Sequence, residues 1–159
     1  MKRTATLCLM LSIMMTFLPL SVASDTATES TFAPSDASSA HPAEYYQYAA
    51  ELFSKGDQEE AAFWFYAGQL RYRIHLTARP DLPPSGDPAL FASLHSVVGQ
   101  QINGYLGGEP DIWKATIKRV LAWDEATENA FTPKREYPEA HAEQRQGLEG
   151  LLEELERHY

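Results

Sequence analysis

The stretch from Gln58 to Thr77 constrains this chain more than any other. Ala61, Ala62, Phe63, Trp64, Phe65, Tyr66, Ala67, Gly68, Leu70, Tyr72, Ile74 and Leu76 leave almost no side of a helix polar. A helix that is apolar nearly all round is stable only when other elements surround it. The segment therefore predicts a buried central helix, and the rest of the chain has to supply its wrapping.

The flanking segments read as that wrapping. Pro42 suits a first helical turn because its missing N–H has no intrahelical partner to lose, and Tyr45, Tyr48, Ala49 and Leu52 follow at helical spacing, so a helix is expected from Pro42 to Lys55. Gly56 can take the left-handed conformation that ends it, Asp57 can cap the next helix, and Glu60 stands at the capping-box position. So tight a turn makes the two helices antiparallel neighbours. After a proline-rich loop, Asp87-Pro88 reads as an N-cap with proline in the first turn, predicting a helix from Pro88 to Val98 that resumes past Gly99 to Tyr105. Ile112, Trp113, Ala115, Ile117, Val120, Leu121 and Trp123 predict an amphipathic helix ending near Glu125. Leu148, Leu151, Leu152 and Leu155 predict a one-sided, highly charged lid from Ala140 to His158. No segment alternates with period two, so the expectation is an all-α compact bundle of about five helices built on the first hairpin.

That hairpin resembles a single tetratricopeptide or Sel1-like repeat across residues 45–68. Tyr45, Tyr48, Ala49 and Leu52 carry the likeness on the first helix, Gly56-Asp57 at the turn, and Glu60-Ala61, Phe65 and Gly68 on the second. In that family, small residues at positions such as Ala49, Ala61 and Gly68 let two helices approach closely while large ones wedge between units. The resemblance implies protein or peptide binding. The proline that closes such repeats would fall near Arg73, and no second copy follows, so a stacked solenoid is not expected.

The N-terminus reads as an export signal. Lys2 and Arg3 precede an apolar run from Leu7 to Leu20 and the small triplet Ser21-Val22-Ala23, which places cleavage after Ala23. Ser12, Thr16 and Pro19 interrupt the run, where a membrane span needs about 20 mostly apolar residues. Neither Ser24 nor Asp25 is the cysteine a lipid anchor requires, so no stable membrane anchor is expected. Residues 24–40 read as a flexible leader rich in Ser, Thr and Ala, and residues 41–159 as one helical domain.

The only cysteine, Cys8, lies in the signal, so the exported chain has no thiol for disulfides, catalysis or metal binding. Loss of Lys2 and Arg3 leaves 11 basic against 22 acidic residues, a net charge of −11. Such a surface repels phosphate backbones, which argues against nucleic acid and favours a basic protein partner or plain solubility.

Motifs for chemistry are absent. His75, His95 and His141 have neither i, i+4 pairing nor the H-E-x-x-H spacing, so no metal or other cofactor is expected. No G-x-S-x-G elbow surrounds Ser54, Ser85, Ser93 or Ser96, and the Gly104–Gly108 segment lacks the lysine of a phosphate loop. Carboxylates such as Glu44, Glu51, Glu109, Asp111, Asp124, Glu125 and Glu128 are abundant, but abundance places no two of them across a cleft.

Aromatic rings are dense in the first two helices, and one hairpin cannot turn all of them inward. Tyr46 or Tyr66 is therefore expected at the surface, where aromatic and arginine residues make binding hot spots. The expected partner-binding face comprises Tyr46, Tyr66, Arg71, Tyr72 and His75, extended by the Pro80–Asp87 loop and the Gly104–Asp111 turn. Arg71 and His75 share a face and would otherwise sit at a rim, paired with acids of the last helix.

The functional expectation is an exported, periplasmic or secreted protein that binds another protein without catalysis of its own. In size, charge and export it resembles small immunity proteins that block secreted toxins. The alternative is a small enzyme or ligand-binding protein with Arg71, His75 and Glu128 in a cleft between the hairpin and the Trp113–Trp123 helix. Association with copies of itself is the third reading.

Overall fold

A computed structural model describes residues 32–159, and the signal reading of residues 1–23 and the first part of the leader lie outside that range. Five helices follow one another: α1 (Pro42–Ser54), α2 (Gln58–Ala78), α3 (Asp87–Leu106), α4 (Pro110–Ala126) and α5 (Pro138–His158). Among the described residues there is no strand, so the fold is an all-helical bundle as the patterning predicts. No helix there is long and apolar enough to cross a membrane.

α2 is the axis, packed against α1, α3, α4 and α5. Every residue from Ala61 to Gly68 is buried, as are Leu70, Arg71, Tyr72, Ile74 and His75. This corrects the expectation for the aromatic rings: Tyr46 and Tyr66 are inside. Tyr46 leaves α1 toward the rings of Phe65 on α2 and Phe91 on α3, and Tyr66 leaves α2 toward Asn103 on α3 and Trp113 on α4, so each meets a neighbouring helix.

α1 begins with a reciprocal cap that the sequence reading did not assign. His41 Nδ1 accepts from the Ala43 amide at 3.1 Å while Glu44 Oε1 accepts from the His41 amide at 2.9 Å, satisfying two amides that lack intrahelical partners. Gly56 ends α1 at φ 87°, and the Asp57 amide reaches back to Leu52 O at 3.0 Å. Asp57 makes no side-chain cap, contrary to expectation, and the capping box is not closed by Glu60. The Glu60 carboxylate accepts from Trp64 Nε1 at 2.9 Å and from Arg119 Nη1 of α4 at 2.7 Å.

The hairpin is closest at Gly68, where a Cβ would lie 2.6 Å from Tyr45 Cβ. α3 runs unbroken through Gly99 because that glycine serves close packing: a Cβ there would meet Phe65 Cζ at 3.1 Å. α5 docks through Ala140, Leu148 and Leu155, all buried, and leaves its Glu-rich side in solvent.

Residues 32–40 correct the second half of the leader expectation. Phe32 is buried, with its ring 4.9 Å from Tyr45, 5.3 Å from Tyr48 and 5.3 Å from Trp64. A short 3-10 turn at Pro34–Asp36 follows, Tyr45 Oη donates to Ala37 O, and Ser38 O accepts from the Ala130 amide at 2.7 Å. One large ring placed among small polar residues is enough to fasten the segment.

Two glycines test this packing. Gly68→Ala is expected to cost on the order of 1–3 kcal/mol, since its methyl group meets the rigid Tyr45 Cβ. Gly150→Ala in α5 meets nothing within 4 Å and should gain up to about 1 kcal/mol from helix propensity. Urea denaturation of both variants checks the pair, and equal effects would contradict the packing.

Candidate functional site

The polar residues that α2 carries inward form two nodes. At the first, Arg71, only 2% exposed, places Nη2 3.0 Å from Asp124 Oδ1 on α4, which is 0% exposed. Arg145 of α5 donates to Asp124 Oδ2 at 2.8 Å and to Leu121 O at 3.1 Å. Arg71 also donates to Thr127 O at 3.1 Å and Glu128 O at 3.3 Å, and its guanidinium lies 4.8 Å over the Trp123 ring. Lys134 donates to Asp124 O and Glu125 O.

Three cations thus gather on carbonyls at the end of α4, the negative pole of the helix dipole. Burial holds Arg71 below its ordinary pKa, and Asp124 opposes that pull. Breaking such a pair strands a charge in the interior, so the node is structural.

The second node centres on Asp87, the first residue of α3. Its carboxylate accepts from His75 Nε2 at 2.8 Å and from Tyr72 Oη at 3.2 Å, and lies 3.2 Å from His41 Nε2. Asp87 was expected as the N-cap of α3, but its side chain makes no capping bond because these groups have drawn it toward α1 and α2. Arg79 Nη1 lies 2.9 Å from His75 Nδ1 and also reaches Thr132 Oγ1 at 3.3 Å. A guanidinium can only donate, so His75 Nδ1 accepts and Nε2 carries the proton toward Asp87.

Burial alone would raise the Asp87 carboxyl, yet the His75 hydrogen bond, the neighbouring His41 and the Tyr72 hydrogen bond hold it below its ordinary value. Burial lowers His75, and Arg79 reinforces it against Asp87. Burial likewise lowers His141, whose Nε2 donates to Thr132 O at 2.9 Å, and lowers His95, which stacks between Phe65 and Phe91.

All five residues of the expected partner-binding face, Tyr46, Tyr66, Arg71, Tyr72 and His75, are therefore interior. Arg71 and Tyr72 anchor different nodes, and His75 joins Tyr72 on Asp87. Tyr66 Oη donates to Asn103 Oδ1 of α3 at 3.0 Å and accepts from Trp113 Nε1 of α4 at 2.9 Å. Tyr46 Oη has no hydrogen-bond partner among the described residues.

The rim expectation for Arg71 and His75 is also corrected, since their acids come from α4 and α3 and not from the last helix. Ile117, Val120 and Asp124 are fully buried where α4 meets the hairpin, so that interface is packed at Arg71. Glu128 lends its carbonyl to Arg71 and turns an exposed side chain outward.

Among the described residues no three His, Cys, Asp or Glu side chains converge as a metal site requires. Two features facing solvent were missed from sequence. One is the outer side of α3, with Leu90 43% and Val97 62% exposed. The other is a groove of about 240 Å³ between α2 and α5, lined in part by Gln69, Arg73 and Leu148. An uncharged run after Asp87 was the available signal for the first. No signal existed for the second, which joins residues far apart in the chain. Set against known protein families, curated proteins and solved structures, the chain matches none of them.

Asp124→Asn should lower stability by about 3–5 kcal/mol in urea denaturation by leaving Arg71 without a counter-charge. Tyr46→Phe removes an unpartnered buried hydroxyl and should leave stability equal or higher. Stability should also fall with acidification. His75, His95 and His141 sit below their ordinary values when folded, so the unfolded chain takes up protons first once the pH drops below roughly 6.5. Asp87, depressed when folded, adds a further loss as the pH falls below roughly 4. A urea midpoint that is flat between about pH 7.5 and 5.5 would contradict this sign.

Proposed function

We propose that this chain is an exported helical protein that works by docking on another protein, without chemistry of its own, through the outer side of α3. The observation that carries the reading is the absence of Asp, Glu, Lys and Arg from Pro88 to Leu106, in a chain with 22 acidic and 13 basic residues. Interface cores are depleted of charge relative to the rest of a protein surface. Leu90 and Val97 lie two turns apart on one side of this helix, with exposed Ala89, Ser93 and Ser96 around them.

α3 spans from the Pro80–Asp87 loop to the Gly104–Asp111 turn, the two segments expected to flank the binding face on α2. It covers α2, so the binding face moves outward by one layer of helix. The likeness of the α1–α2 hairpin to one tetratricopeptide or Sel1-like repeat, and the resemblance in profile to immunity proteins, both favour protein binding. The acidic body would steer a basic partner from a distance, while the uncharged face makes the contact. The Lys2-to-Ala23 export signal supports a periplasmic or secreted setting.

A photo-cross-linking residue at Val97, used in the source organism, is expected to yield one discrete protein adduct. The same residue at exposed Glu153 on α5 should yield none. Equal adduct patterns from the two positions, or no adduct from Val97, would overturn the reading. An adduct of twice the chain's mass would make the partner a second copy.

A further inference from the structure

The groove between α2 and α5 has the composition of a site for one small ligand. Leu70, Leu148 and Leu151 make its apolar wall, and its volume of about 240 Å³ has room for one apolar side chain. Drug-sized pockets are larger, about 300–1,000 Å³.

Two polar residues of α2, Gln69 and Arg73, also line the groove, one helical turn apart. Arg73 is exposed, its guanidinium lies 5.6 Å over the Phe91 ring, and among the described residues it meets no carboxylate. Lys114, Lys118 and Arg119 each do, at 2.7 Å. The Gln69 Oε1 is shielded from solvent and accepts no hydrogen bond among the described residues. Gln144 is held across the groove by donating to Thr77 Oγ1 at 2.9 Å and Glu143 Oε1 at 3.1 Å.

The unmet needs are therefore a carboxylate for Arg73, an N–H for Gln69 and an apolar side chain for the leucines. A free amino acid fits poorly, since no carboxylate lines the groove to receive its ammonium group. The C-terminal residue of a peptide supplies all three from adjacent atoms. The geometry points to a binding site for the apolar C-terminal residue of a protein or peptide, with its carboxylate on Arg73 and its backbone N–H on Gln69. This inference goes beyond the α3 face and does not depend on it, since cross-linking at Val97 reports one surface and ligand titration the other.

The test is nuclear magnetic resonance titration of the purified protein, following the Gln69 side-chain amide and the Arg73 Nε–H. The probes are N-acetyl-leucine, the tripeptide Ala-Ala-Leu, N-acetyl-leucine amide, which lacks the carboxylate, and 4-methylpentanoate, which lacks the N–H. N-acetyl-leucine and the tripeptide should shift both signals saturably; the amide-capped compound should bind at least about tenfold more weakly, the worth of one charge-assisted hydrogen bond, and 4-methylpentanoate at least about threefold more weakly, the worth of one neutral hydrogen bond. Arg73→Gln, and Gly147→Phe, which fills the groove from a position with nothing within 4 Å, should each abolish the shift of the Gln69 side-chain amide at unchanged circular dichroism.

No saturable shift from either carboxylate-bearing peptide probe would overturn the proposal, as would equal binding of the amide-capped compound. Binding of N-acetyl-leucine without the tripeptide would overturn the peptide terminus in favour of a free N-acyl amino acid.

Discussion

The contact between Arg71 and Asp124 is the constraint around which the other elements are placed. The Arg71 guanidinium is turned inward on the central helix and reaches neither bulk water nor an exposed acid, so its hydrogen bonds have to be met inside. Asp124 supplies the counter-charge, Thr127 and Glu128 supply carbonyls, and Trp123 covers the planar face. Meeting those needs fixes where α4 ends and how the next loop turns. Arg145 then joins the same carboxylate from α5 and holds the last helix in register.

Asp87 does the corresponding work at the other end of α2. It gathers His41, Tyr72 and His75, so one carboxylate ties the starts of α1 and α3 to the second half of α2. Arg79 carries the network on to Phe131 and Thr132, where His141 of α5 also bonds. The Thr127–Pro138 loop has little periodicity, yet it is held by side chains from α2 and α5 and by Ser38 of the N-terminal segment. Most polar groups of these networks bond to one another in the interior, which specifies geometry well and turns their bonding capacity away from solvent. That is why the functional reading rests on the outer side of α3 and on the α2–α5 groove.

The two surfaces differ in what they ask of a partner. The α3 face offers apolar area without charge, which suits a broad protein contact whose specificity comes from shape. The groove offers one guanidinium, one amide oxygen and a short apolar wall, which suits a single residue with a defined end. In an acidic chain, each is a local departure from the prevailing charge. Tyr66, bonded to both Asn103 and Trp113, lines the groove while bracing α3, so the two surfaces share a rigid support.

The sequence by itself determined the helices, the hairpin and the burial of α2, because those follow from local spacing, from the turn chemistry of Gly56 and from a segment with no polar side. The prolines at 42, 88, 110 and 138 each mark a first turn where the missing N–H costs nothing. Tertiary structure alone decided where the polar side chains went. Spacing puts Arg71 and His75 on one face of α2, but only the positions of α3, α4 and α5 make that face an interior one with partners 12 and 53 residues away. The Asp87 carboxylate could have capped its own helix, and the competing donors from two other helices took it instead. The groove could not be read from sequence because its walls belong to Gln69 and Leu148, which packing brings together across most of the folded chain.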